Sequence, residues 1–300
     1  LFAAEVIEDE TLRALPNFTK RMRWFLEHRP DLAGQIAYMT TSHENGTRHG
    51  HHLLAIPSEE RLRAVLGRLL DEREFLSDFG VRSLSKIHGA EPFRLDIDGR
   101  SFAAEYVPGE STSGLFGGNS NWRGPIWFPV NHLLIEAIER YHHFYGDRLT
   151  VELPDGTGRQ VTLGEVARLL RERLARIFRV GPDGSRPAFG QDPRWRHPLW
   201  RDNLLFHEHF HGETGRGLGA SHQTGWTALI APNLLALADR GAAVHDFVEN
   251  PGDRSGFGAS EPTKTFGRRR SMAKGAMLES FACAERSDAG SPAGHVPSDA

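Results

Sequence analysis

Apolar residues recur along this chain at spacings of three and four, the period of helices that bury one face. Between Glu8 and His28 the recurring positions are Leu12, Leu15, Phe18, Met22 and Phe25, predicting an amphipathic helix that Pro16 must start or interrupt. Ser58, followed by Glu59 and Glu60, supplies a capping hydroxyl and two acids that offset the helix dipole. It predicts a helix buried along Leu62, Val65, Leu66 and Leu69. Val130, Leu133, Leu134, Ala137, Ile138 and Tyr141 repeat the pattern, with Gly146 placed as a C-terminal cap. Thr162 and Glu165 form a capping box ahead of Leu163, Val166, Leu169, Leu170, Leu174, Ile177 and Phe178, with Gly181 past the end. A last apolar helix is expected from Thr224 or Gly225 to about Ala238, and Arg94 to Val107 predicts a hairpin turning at Asp98–Gly99. The expected class is therefore all-α, with short β-hairpins in the loops. Beyond Asp239 the chain turns to Gly, Ser, Ala, Pro, Asp and Arg without an apolar face, so residues 1–238 read as the folded part and 239–300 as a disordered or foreign tail.

One helix entry carries unusual chemistry. The segment GGNSNWRGPIWFPVN, from Gly117 to Asn131, combines glycines that let the backbone bend with Pro125 and Pro129, which fix φ. Between them stand Trp122, Arg123 and Trp127, flat amphipathic rings beside a planar hydrogen-bond fork. The segment reads either as a ligand-holding wall or as a loop whose tryptophans plug the core.

Composition narrows the alternatives. The 300 residues carry a net charge of -3, with Lys and Arg scattered apart from Arg268 to Arg270, so no nucleic-acid partner is expected. No apolar run approaches the roughly 20 residues needed to span a bilayer, and no membrane partner is expected. A single cysteine, Cys283, excludes an internal disulfide and a Cys-based zinc site, and fits a reducing, cytoplasmic setting. Leu1 in place of methionine marks the chain as a fragment by expectation.

A second cluster, FHEHFHGETGRGLGASHQTGW, runs from Phe206 to Trp226 and gathers proton carriers among glycines. His207, Glu208 and His211 match the HExxH pattern of zinc hydrolases, in which two histidines one helical turn apart bind the metal. Gly212, Gly215, Gly217 and Gly219 leave little room for the helix this pattern requires. Zinc is thus an alternative, while the expectation is no metal and no cofactor.

Together, NWRGPIW and the downstream segment ending in TGW resemble the C-terminal half of glycoside hydrolase family 63 and its bacterial relatives, over roughly Leu1 to Leu237. The resemblance implies an (α/α)6 barrel, a ring of helical hairpins whose loops line a sugar pocket, here incomplete. It implies an inverting glycosidase acting on an α-glucosidic or related α-glycosidic bond of an oligosaccharide or small glycoside, including glucosyl and mannosyl conjugates of small acids. An inverting enzyme needs a carboxylic acid and a carboxylate about 6.5 to 9.5 Å apart. The resemblance places the general base on Glu208 and sugar contacts on Trp122, Arg123 and Trp127, with Asn121 as a supplement. His222, Gln223 and Trp226 fall in the segment that closes or braces the pocket, while His209 and His211 read as structural. Further candidates are Glu110, Trp195 and Trp200 as a rim, and the loop from Arg82 to Ser85 facing the barrel mouth.

The family's general acid is an aspartate from an earlier part of the barrel, and nothing here matches its surroundings. The acid is therefore expected upstream of Leu1. A catalytically inactive sugar-binding remnant is the non-enzyme alternative.

Overall fold

Pro16 starts a helix in the computed structural model, which describes residues 1–33, 37–41, 50–114, 120–153 and 157–239. Gly117, Gly118 and the tail expected beyond Asp239 lie outside the described residues. Helix α1 (Asp9–Ala14) ends at Leu15, and Pro16 takes the first turn of α2 (Pro16–His28), where its missing N–H has no helical partner to lose. A short α3 (Pro30–Ala33) follows. Beside these helices lies a sheet that goes beyond the hairpins expected from sequence. Strands β1 (Ala4–Glu8), β2 (Ala37–Thr41) and β3 (His51–Ala55) pair antiparallel with β3 in the centre.

In α4 (Glu59–Leu69) the Ser58 hydroxyl accepts the Arg61 N–H at 3.4 Å, as the capping pattern predicts. Leu62, Leu66 and Leu69 are buried, but Val65 is exposed, because the 62–66–69 row alone faces the core. A tight hairpin, β4 (Leu76–Ser77) with β5 (Gly80–Val81), is followed by the longer β6 (Phe93–Ile97) and β7 (Arg100–Ala104). The latter turns at Asp98 and Gly99, both at positive φ, the geometry of a type I′ turn.

The core is built on two antiparallel helices, α5 (Phe128–Tyr145) and α6 (Leu163–Arg176), joined through the hairpin β8 (Thr150–Glu152) and β9 (Gln160–Thr162). His142 meets Gly164 at one end, while Gly80 touches both Asn131 and Leu174 at the other. Between them Ile135, Ile138, Tyr141, Leu163, Val166 and Leu174 are fully buried. Thr162 and Glu165 close the predicted capping box.

The chain then forms β10 (His209–Phe210) and β11 (Gly217–Leu218), and the described residues close with two helices, α7 (Thr224–Thr227) and α8 (Ile230–Ala238). The single helix predicted from Thr224 to Ala238 divides because Pro232 would drive its ring into the carbonyl of Ala228, so a new helix must begin just before it. Buried Asn233 of α8 donates to the Arg171 carbonyl at 2.9 Å, and Arg171 pairs with Glu139 at 2.7 Å, tying α8, α6 and α5 together. Among the described residues no helix is long and apolar enough to cross a membrane.

Asn131 fastens α5 to the β4–β5 hairpin. It accepts the Val81 N–H at 2.7 Å and donates to the carbonyls of Val81 and Trp127 at 3.0 and 3.1 Å. Asn131→Ala strips the side-chain partner from buried backbone groups and is expected to cost about 3 kcal/mol, read as a lower urea midpoint. Thr162→Ala, at an exposed cap, is expected to cost only about 1 kcal/mol. Equal losses in the two variants would contradict this ranking.

Candidate active site

The two motif segments meet through backbone pairing. Ile126 bridges Phe210 with N–H to carbonyl bonds of 2.8 and 2.9 Å, and bridges Arg82 on its other side. Ile126 and Phe210 are both fully buried, so this junction is dry. Gly124 must be glycine: its φ is +152, and a Cβ there would lie 2.6 Å from the Val107 carbonyl. Ser83, in the loop expected at the mouth, accepts the Gly124 N–H at its hydroxyl at 2.9 Å and donates its own N–H to the Pro125 carbonyl at 3.1 Å. Trp127 then sits at the N-cap of α5, with Pro129 in the first turn.

Stacking builds the wall. Trp122 lies parallel on Trp127 at 3.7 Å, Trp127 stacks on His209 at 4.8 Å, and Trp226 meets Trp127 edge-on at 6.2 Å. Trp122 is the most open of these rings, being 42% exposed against 2% for Trp127. Trp127 therefore backs the wall and donates from Nε1 to the Asn121 carbonyl at 3.0 Å. Arg123 is also buried, with its guanidinium on the Ser111 hydroxyl at 3.2 Å. Asn121 does not face a ligand: its side-chain amide donates to the carbonyls of Val107 and Gly109, and its oxygen accepts the Arg123 N–H. It is a bracket for the loop, a role its position in the motif does not disclose.

Glu208 lies half-buried beside this wall. Its carboxylate accepts the Ser120 hydroxyl at 2.6 Å and the Ala220 N–H at 3.4 Å, and its carbonyl accepts the Trp226 indole N–H at 3.0 Å. His222 and Gln223 are exposed on the adjoining strand-to-helix turn, with His222 bridged to Phe206. The structure thus brings Glu208, Trp122, Trp127 and Trp226 together and leaves His222 and Gln223 at the edge.

A model for the mannosylglycerate hydrolase MGH1-like glycoside hydrolase domain matches residues 51–227. The chain belongs to this glycoside hydrolase family. An uncharacterized protein of Saccharomyces cerevisiae, YMR196W, is 44% identical over 234 residues, 77% of this chain and 21% of its own length. The mannosyl-oligosaccharide glucosidase of the same yeast is 24% identical over 177 residues, 58% of this chain and 15% of its own. The family 63 classification follows from these matches. No solved structure matches. The chain thus spans about a fifth or less of the curated relatives it matches.

Within this glycoside hydrolase domain the HExxH pattern does not form a metal site. The segment bends at Glu208 and enters strand β10, so no helix sets His207 and His211 one turn apart on a common face. Burial pushes His207, His209 and His211 below the ordinary histidine value, leaving them uncharged near neutrality. Among the described residues the group able to hold an ion is Glu8, His51 and His143. The Glu8 carboxylate lies 2.7 Å from each imidazole, near the C-terminal end of α5, roughly 24 Å along that helix from Trp127. Trp195, expected at a rim, stacks on Phe189 at 4.5 Å and lines a cavity of about 480 Å³ with His207 and Arg216, while Trp200 meets it edge-on.

Sequence spacing gives no sign of the strongest ionic knot. Glu213, at the tip of the β10–β11 hairpin, accepts from Tyr106 at 2.5 Å and from Arg82 and Lys86 at 2.9 Å each. These partners lie more than a hundred residues away, and of them only Arg82 stood among the candidate site residues. Burial alone would raise the Glu213 carboxyl, but the bonds from Tyr106, Arg82 and Lys86 outweigh it and hold the group at about 2. The unfolded chain, with its carboxyl near 4.5, therefore binds more protons between these values, and stability falls as the pH drops through the interval. The urea midpoint of the wild type should exceed that of Glu213→Gln above pH 4.5, with the difference shrinking steadily as the pH falls from 4.5 towards 2. A difference that stays constant across that window would contradict the assignment.

Proposed function

We propose that this chain carries the general-base side of an inverting glycosidase site acting on an α-glucosidic or related α-glycosidic bond. The observation that carries the reading is Glu208, an accessible carboxylate oriented by Ser120 and Ala220 beside the open face of Trp122. An indole face matches the apolar C–H face of a pyranose, and the carboxylate beside it is free of any cationic partner among the described residues. Glu208 takes a proton from water as that water attacks the anomeric carbon. The bond to the leaving oxygen breaks on the opposite side, and the complementary acid protonates it. That acid is assigned to an aspartate contributed by polypeptide outside these 300 residues.

The substrate class draws support from two names, a domain described by mannosylglycerate hydrolase and a relative named mannosyl-oligosaccharide glucosidase. Both concern glycosides of oligosaccharides or small molecules. The antiparallel α5–α6 hairpin, with the site's loops gathered at the N-terminal end of α5, is what one unit of an (α/α)6 ring would supply. The reading assigns the remaining hairpins to the full-length protein.

In the full-length protein, Glu208→Gln is expected to lower kcat by about a thousandfold while leaving saccharide binding within a few-fold. Undiminished hydrolysis by that variant would overturn the assignment of the base.

A further inference from the structure

Three side chains from three elements converge at the end of α5 far from Trp122. Glu8 is the last residue of β1, His51 is the first of β3 and lies directly opposite it across the ladder, and His143 stands in the last turn of α5. Glu8 turns one carboxylate oxygen to each ring. Its Oε2 lies 2.7 Å from Nδ1 of His51, and its Oε1 lies 2.7 Å from Nε2 of His143. The two imidazoles meet edge-on, with ring centres 4.7 Å apart and 71° between planes, so their nitrogens approach the carboxylate from different directions. One donor atom from each of the three residues falls within 4.8 Å of the other two.

The partners of this carboxylate differ in kind from those of its counterparts. Glu213, Glu139 and Glu74 are each met by an arginine, which is permanently charged and has no lone pair to offer. Glu8 is met by two imidazoles, which can present lone pairs. Two such nitrogens with one carboxylate oxygen make the donor set of mononuclear zinc and iron sites. Burial suits the same chemistry: the imidazoles are 16% exposed and the carboxylate 27%, so protein shields the donors while the Glu8 side stays reachable. The C-terminal end of α5 adds the negative end of its dipole. Metal–donor distances near 2.0 to 2.2 Å set neighbouring donors of a tetrahedral site roughly 3.3 Å apart. The two 2.7 Å contacts therefore need to open by only about 0.6 Å, a side-chain adjustment, to admit an ion in place of the protons they share.

We propose that Glu8, His51 and His143 bind a divalent transition-metal ion of the zinc type, with water completing its coordination, and that this ion clamps β1 and β3 onto the end of α5. The site lies roughly 24 Å along α5 from Trp127, so the ion braces the fold and takes no part in sugar chemistry. The inference is independent of the glycosidase reading. Glu8 and His143 stand 135 positions apart and share no spacing motif, which is why the sequence led to an expectation of no metal.

The test is isothermal titration of the chelator-treated full-length protein with zinc chloride, in wild type, His143→Gln and His51→Asn. Each substitution keeps an amide N–H able to reach the Glu8 carboxylate but removes the imidazole donor, so a purely hydrogen-bonded trio would survive it and a metal site would not. Wild type is expected to bind one zinc ion per chain about a hundredfold or more tightly than either variant. Zinc should also raise the melting temperature of the wild type and leave both variants where they stand in chelator. Calcium and magnesium chloride should not distinguish the three proteins, because imidazole nitrogens suit neither ion. Equal zinc binding by wild type and variants would overturn the proposal, as would a wild type that binds no zinc. Zinc held by these residues without the thermal shift would overturn the role of a clamp. A variant that loses its fold shows it in the melting curve recorded with chelator, and the other variant then decides.

Discussion

The candidate site depends on a single backbone pairing, the dry bridge between Ile126 and Phe210. Two segments more than eighty residues apart reach one another there, and each side's polar groups are satisfied only by the other. With Ile126 also bridged to Arg82, the Trp122–Trp127 wall, the Glu208 segment and the loop after β5 become one rigid corner. The stacked rings follow from that corner, since His209 can lie on Trp127 only if its strand runs beside the α5 entry. Glu208 is placed by the same constraint, one residue before His209, with its carbonyl on the Trp226 indole.

Charge is distributed around this corner in a way that suits sugar chemistry. The hairpin tip carries its ionic load on Glu213, which is engaged by Tyr106, Arg82 and Lys86 and so serves to lock the tip. Burial keeps the neighbouring histidines neutral. Glu208 is left as a formal charge beside the wall, bonded to a hydroxyl and to a backbone N–H. A neutral, polar surface with an isolated carboxylate stabilises hydroxyl-rich ligands without drawing in ions indiscriminately.

Much of the helical part was legible in the sequence because its signals are local. Ser58, the Thr162–Glu165 box, Pro16 and the Asp98–Gly99 turn act within four residues of themselves, and each appears where its chemistry predicts. The β1–β3 pairing was not legible: these strands are five residues long and pair across 43 to 51 residues, and the local turn signal Asn45–Gly46 joins only β2 to β3. Val65 shows the limit of periodicity, which names a set of candidate faces while tertiary packing selects one. In the site, Trp122, Trp127 and Glu208 were legible as chemistry, by motif. The division of labour between them was not, since whether an indole is open or buried and whether Asn121 faces a ligand or a carbonyl depend on contacts made by distant loops.

The most direct measurement is a crystal structure of the full-length Glu208→Gln protein soaked with an intact α-glucoside. The account predicts a pyranose ring lying on the open face of Trp122, with residue 208 and a bound water aligned on the anomeric carbon opposite the leaving oxygen. A saccharide bound away from Trp122, or residue 208 directed away from the anomeric carbon, would contradict it.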